Sequence, residues 1–160
     1  MDDDKQDWRQ MAQEMMEDYL HVRGLRITPE RRAIVDAVFS MGGHFTVEDI
    51  HTSLNEQRFR VSLATLYSNL DMLTELGIVS RHYFGPTMKF ERRLGMDPHF
   101  HRVCKICGQV QDLHNDRWMH IVERTSIRGF KPDYYQLYVY GTCTKCAAAL
   151  RRKNKKEIKK

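Results

Sequence analysis

Apolar positions recur every three or four residues along the first half of the chain. Trp8, Met11, Met15, Tyr19 and Leu20 predict an amphipathic helix over 7–22, ended by Gly24. Thr28-Pro29-Glu30 predicts a second helix start, with Thr28 as cap and Pro29 in the first turn. Its buried stripe is Ala33, Ile34, Ala37 and Val38, and Gly42-Gly43 ends it. Thr46-Val47-Glu48-Asp49 has the form of a capping box closed by Asp, opening a short helix through Ile50 and Leu54. Ser62 caps a fourth helix with Leu63, Leu66, Leu70 and Leu73 inside, and Gly77 closes it. The period then changes. Val79–Phe84 and Met88–Glu91 read as two strands around Gly85-Pro86-Thr87, a hairpin with turn chemistry at its tip.

Four helices and a hairpin in this order describe a helix-turn-helix with a wing. Residues 92–98 read as a hinge. Beyond it strands are expected at His99–Val103, Gln109–Leu113 and Tyr134–Tyr140, with a helix carrying Trp118, Ile121, Val122 and Thr125, and a last helix from Ala147. The expected class is α+β: a winged-helix domain over 1–91, the hinge, and a small α/β dimerisation domain with a basic tail over 99–160. Two domains of this size each bury proportionally little surface, so a staple such as a metal or a second subunit is expected.

Charge sharpens this only a little. The net charge of +5 is mild encouragement for a nucleic-acid partner. Residues 1–18 hold seven acids against two bases, and 151–160 hold seven bases against one acid, which reads first as a solvated end. No apolar run is long enough for a membrane span. The opening Met1-Asp2-Asp3-Asp4-Lys5 lacks the apolar core of a secretory signal, so a cytoplasmic protein is expected.

The four cysteines form two Cys-x-x-Cys pairs, Cys104/Cys107 and Cys143/Cys146, with 35 residues between them. Four thiolates suit tetrahedral zinc, and a closed four-sulfur shell leaves no open position, so its role is structural. Gly108 lets backbone N–H groups turn toward sulfur. Redox dithiols and disulfides are the rival readings, both disfavoured in a cytosolic chain.

His99 and His101 alternate on one predicted strand, so both imidazoles share a face. With His44, Glu91 and Asp112 they would form a nitrogen and oxygen donor set that suits Fe(II), Mn(II), Co(II) or Zn(II). Singly, each has an ordinary reading as a surface or satisfied core residue. His21, His51, His82, His114 and His120 read as surface or packing residues, with His82 as a phosphate neighbour in the wing.

These motifs together resemble the ferric uptake regulator family over nearly the whole chain. The matching stretches are Gly24–Arg32, Ser62–Tyr67, Leu76–Val79, His99-x-His101-x-x-Cys104-x-x-Cys107-Gly108 and Leu137–Gly141 with Cys143-x-x-Cys146. The resemblance implies a homodimeric winged-helix repressor of palindromic DNA operators, with a divalent metal, Fe(II) first and Mn(II) or Zn(II) behind, as corepressor. It places the regulatory metal on His44, Glu91, His99, His101 and Asp112, and structural zinc on the four cysteines. Where some members carry a further metal site, this chain has Pro98, Phe100, Met119 and Tyr135, and that site is expected to be absent. Ser68 stands after Tyr67, where Arg is frequent, so the operator is expected to differ. Asp112 looks like the peroxide-sensing branch and Glu91 like the iron branch, which leaves control of iron uptake and peroxide sensing nearly tied.

On DNA, the helix from Leu63 is expected in the major groove, with Ser62, Thr65 and Tyr67 near base edges and Arg26 and Arg81 near phosphate or the minor groove. A catalytic Fe(II) site is the rival class, but no small organic substrate is suggested; a zinc-ribbon adaptor would need only the cysteines.

Overall fold

The computed structural model describes residues 7–84 and 87–157. Gly85 and Pro86, the expected hairpin tip, lie outside these residues, as do the acidic 1–6 and the last three residues of the basic tail. The chain divides into two compact units between Met96 and Asp97, a division that falls inside the stretch read as a hinge.

The first unit runs α1 (Trp8–Val22), α2 (Pro29–Ser40), β1 (His44–Phe45), α3 (Val47–Glu56), α4 (Leu63–Glu75), β2 (Val79–Phe84) and β3 (Thr87–Arg92). Each helix starts on a side-chain cap. Asp7 accepts from the N–H groups of Arg9 and Gln10, and Thr28 from Arg31 N–H. Thr46 and Asp49 exchange bonds in a full capping box, and Ser62 Oγ accepts from Thr65 N–H at 3.1 Å. Isolated helices of this length are marginal in water, so burial decides their stability. Ala12, Met16 and Leu20 of α1, Ile34 and Val38 of α2, Ile50 and Leu54 of α3, and Leu66, Leu70 and Leu73 of α4 form one core. The seam of α1 is thus rotated from the expected stripe: Met15 and Tyr19 flank it, and Trp8 packs over Gly95 instead. Glu75 of α4 ties α1 down, accepting from Tyr19 Oη at 2.7 Å and Arg23 Nη2 at 2.8 Å.

The wing sheet has the order β1-β3-β2, antiparallel throughout. The pairing of Phe84 with Thr87 across the turn sets every later pair: His82 faces Lys89, Ser80 faces Glu91, and Glu91 faces His44 of β1. Paired residues share a face. One face therefore carries Phe45, Phe90 and Val79 into the core, and the other carries His44, Glu91, Ser80, His82 and Phe84. The two-residue β1 was not expected from the sequence, being too short for any alternation to register.

The second unit runs β4 (Phe100–Cys104), β5 (Val110–Leu113), α5 (Asp116–Arg124), β6 (Tyr138–Gly141) and α6 (Thr144–Glu157). Its sheet has the order β5-β4-β6, with β4 antiparallel to β5 and parallel to β6. Strand β6 is shorter than the expected Tyr134–Tyr140. Extending its ladder would set Tyr135 beside Pro98, which has no N–H to offer. Helix α6 begins at Thr144, earlier than expected, because Ala147 N–H already bonds Cys143 O at 2.9 Å. The apolar residues of α5 are left outside: Trp118 and Ile121 are both exposed.

Candidate metal centres and nucleic-acid interface

The parallel pairing of β4 with β6 brings the two cysteine pairs together. Cys104 is the register partner of Gly141, so both strands end at the same edge of the sheet. The first pair lies in the turn from β4 to β5, closed by Gly108 N–H to Cys104 O at 2.9 Å. Gly108 has φ +70°, the left-handed conformation that glycine adopts without strain. The second pair lies where β6 passes into α6. All four Sγ atoms fall within 4.8 Å of one another, and none is in a disulfide. Cys107 and Cys143 sulfurs are 3.9 Å apart. Zinc–sulfur bonds of ordinary length give a tetrahedral S–S edge of about 3.8 Å, so the donor set fits zinc.

The backbone prepares these sulfurs for negative charge. Cys143 N–H points at Cys104 Sγ at 3.4 Å, and Cys146 N–H at Cys143 Sγ at 3.4 Å. Bonds from the N–H groups of Cys143, Cys107 and Ile106 lower the Cys104 thiol to about 6. Cys146 is pushed up to about 12, first by its bond with Cys143 and then by burial and the other two thiols. These N–H groups favour the thiolate at Cys104, while the neighbouring sulfurs favour the protonated form of Cys146, whose proton zinc binding would release.

A second set of donors lies on one face of the second unit's sheet. His101 on β4 is the direct partner of Asp112 on β5 and of Tyr138 on β6, and its ring lies nearly parallel to that of Tyr138 at 5.7 Å. His99, just before β4, has its ring 4.9 Å from that of His101. One donor atom from each of His99, His101 and Asp112 lies within 4.8 Å of the others. His99 Nδ1 is 2.9 Å from Asp97 O. A carbonyl only accepts, so Nδ1 carries the proton and Nε2, 4.0 Å from Asp112 Oδ1, is the basic nitrogen. A ligating histidine is held in just this tautomer, and the set fits a divalent cation.

In the first unit the wing face gathers His44, His82 and Glu91, again with donor atoms within 4.8 Å. Glu91 Oε2 is 3.7 Å from His44 Nε2 and 3.4 Å from His82 Nε2. Glu91 and His82 are 4% and 2% exposed. The sequence reading of His82 as a phosphate neighbour is therefore corrected: strand alternation from the Phe84–Thr87 turn turns it onto the Glu91 face and out of solvent. Alternation counted from the Phe84–Thr87 pair is the sequence signal that sets His82 on the same face as Glu91.

The expected DNA-contacting residues fall out differently. Ser62, Thr65 and Tyr67 all lie on the exposed side of α4, Tyr67 included. Ser62 Oγ and Thr65 Oγ1 are bonded at 2.8 Å, so the two hydroxyls act as a unit. Arg26 is exposed. Arg81 is turned back onto its own unit, pairing with Asp71 of α4 and lying 5.5 Å from the Phe90 ring centre. Arg58 and Arg60, in the turn before α4, are exposed and were not singled out from the sequence. Arg58 has φ +65° and closes α3 through Arg58 N–H to Asn55 O.

A winged helix with histidines placed to hold a cation and a cluster of four cysteines define a metal-dependent, DNA-binding regulator. The profile of the ferric uptake regulator family matches residues 22–140, and the chain belongs to that family. The chain is 31% identical to the peroxide operon regulator of Bacillus subtilis over 125 residues, 78% of this chain and 86% of that protein. It is 29% identical to the peroxide-responsive repressor PerR of Staphylococcus epidermidis, over 79% of this chain and 85% of that one. Among solved structures, the ferric uptake regulator of Pseudomonas aeruginosa with manganese superimposes with TM-score 0.67 at 29% identity, covering 81% and 98% of the two chains. The Helicobacter pylori regulator Fur shares the fold at TM-score 0.69 and 18% identity, over 87% and 93%. Among the described residues, no helix is long and apolar enough to cross a membrane.

Proposed function

We propose that the chain is a repressor that binds palindromic operator DNA as a homodimer when a regulatory divalent metal is held by His44, Glu91, His99, His101 and Asp112. The observation that carries this reading is the tautomer of His99, fixed by Asp97 O with Nε2 toward Asp112. One ion taking donors from both units would fix their mutual orientation. A dimer reads a palindrome only when its two recognition helices stand about one DNA turn, roughly 34 Å, apart. Metal and operator then favour the same state and must tighten each other's binding by the same factor.

Homodimerisation is supported by the apolar surface of the second unit. Trp118, Ile121, Phe130, Tyr134 and Tyr140 are all exposed in the single chain, apolar side chains that a partner subunit would cover. Zinc on the four cysteines would hold the knuckles that end β4 and β6.

Of the two branches, peroxide sensing is the reading we favour, because Asp112 supplies a short carboxylate and the similar relatives bear peroxide-regulator names. Fe(II) held by these residues would activate peroxide beside His44, His99 and His101. A ring C–H of one of them would give up two electrons to the peroxide, gaining one oxygen as C–OH while the other oxygen leaves as water. A ring so changed would no longer donate, and the operator would be released. Control of iron uptake is the second reading, favoured by Glu91 and by the likeness to the Pseudomonas aeruginosa regulator. Peroxide treatment of the Fe(II)-loaded protein separates them. Mass spectrometry finds one added oxygen on His44, His99 or His101 for a peroxide sensor, and an unmodified, still operator-bound protein for an iron sensor.

A further inference from the structure

We infer that His82 is a third donor from the winged-helix unit to the regulatory ion, beside His44 and Glu91; this rests on the metal site proposed above. His82 is buried to 2% exposure. Its ring lies parallel to Phe84, 5.6 Å away, and edge-on to His44 at 5.3 Å. Both contacts hold Nε2 toward the carboxylate of Glu91.

The distances favour coordination over a hydrogen bond. His82 Nε2 to Glu91 Oε2 is 3.4 Å, longer than N–H···O bonds of about 2.7–3.2 Å. Donors bonded to one ion at about 2.0–2.2 Å stand about 2.8–3.1 Å apart in an octahedral shell and about 3.3–3.6 Å apart in a tetrahedral one. At 3.4 Å His82 matches the tetrahedral spacing, and it lies closer to Glu91 than His44 does at 3.7 Å. Ser80 Oγ is 2.8 Å from the same nitrogen. The hydroxyl can donate to Nε2 or accept from it, so it holds this nitrogen in place in either tautomer.

The consequence is a change in donor count. With His82 the set becomes His44, His82, Glu91, His99, His101 and Asp112, four nitrogens and two carboxylates. Six hard and borderline donors suit Fe(II) or Mn(II), whereas zinc settles for four; in a six-donor shell His82 Nε2 and Glu91 Oε2 would close from 3.4 Å to about 3 Å on the ion. The three wing donors lie on one rigid sheet, so the winged-helix unit would retain an ion even when the other unit's donors are lost.

The test is paramagnetic proton NMR of the full chain, with zinc on the cysteines and Co(II) alone added. Each coordinated imidazole contributes one hyperfine-shifted, exchangeable N–H resonance. Four are expected in the unmutated protein, and one fewer in both His82→Phe and His82→Gln. Three resonances in the unmutated protein, all retained in either His82 variant, would overturn the assignment. The unmutated count does not depend on how a variant folds. The underlying site has its own arm: if His99→Ala loses no resonance, the proposed bridging site fails, whatever the His82 variants show.

Discussion

Glu91 stands directly across the β1–β3 ladder from His44, its carboxylate 3.7 Å from the imidazole Nε2. A buried, ionised carboxylate is costly unless cations or hydrogen bonds satisfy it, and Glu91 faces two imidazoles. Glu91→Ala is expected to lower Mn(II) affinity at least about tenfold to a hundredfold, the range seen even for outer-shell partners of metal ligands. Isothermal titration of the zinc-loaded protein with Mn(II) measures it, and unchanged affinity would remove Glu91 from the site.

The cysteine knot should hold the second unit together. Structural zinc contributes on the order of 10 kcal/mol to small zinc-dependent folds. Cys104→Ser is therefore expected to abolish zinc retention and dimer formation. Helices α1–α4 share a core of their own, so most helical circular dichroism should survive. Loss of all helical signal would show that the first unit depends on the knot.

Acid should act on the zinc-free, reduced protein through Cys104. Its folded value of about 6 lies below the ordinary thiol value of about 8.5. A lowered value stabilises the fold fully above about 8.5, and that contribution is lost as pH falls through about 6. Cys146, raised to about 12, works in the opposite sense and matters only at high pH. Thermal unfolding of the zinc-free protein should therefore move to lower temperature between neutral pH and pH 5, while Cys104→Ala shows a flatter profile.

Gly95 lies against the indole of Trp8. A Cβ there would stand 2.5 Å from Trp8 Cγ, on a backbone with φ +74°. Gly95→Ala is expected to destabilise the first unit by about 1–3 kcal/mol through overpacking, with a further cost of about 1 kcal/mol from the left-handed backbone. In a Trp8→Ala background only the backbone cost should remain. Denaturant midpoints of the four proteins give the coupling directly.

On DNA, Thr65→Ala and Tyr67→Ala should each weaken operator binding by on the order of 1 kcal/mol, with relaxed preference at the contacted base. Arg26→Ala should weaken all sequences alike and reduce the salt slope by about 1. Arg81→Ala should leave the slope unchanged, because its charge is spent on Asp71. Fluorescence anisotropy across salt concentrations distinguishes the three.

The helices of the first unit were legible because each begins on a capping residue and repeats its apolar positions over two or more turns. The cysteine knot was legible because a pair at fixed spacing announces itself wherever the chain places it. Strand β1 was not, since His44 and Phe45 carry no period of their own and become a strand only through pairing with β3. His82 was missed for a related reason. Its face depends on a register counted from the Phe84–Thr87 turn, and only the three strands together show that Ser80, His82, Glu91 and His44 lie side by side. The apolar stripe of α5 was read correctly as a stripe, but its exposure depends on what covers it, which a single chain does not encode.

The most direct measurement is operator affinity of the zinc-loaded protein with the regulatory ion added and then removed by a chelator too weak to strip the four thiolates. The account predicts that removal weakens binding at least about a hundredfold, about 2.7 kcal/mol of coupling, while zinc content stays constant. Equal affinity in the two states, with zinc still in place, would contradict it.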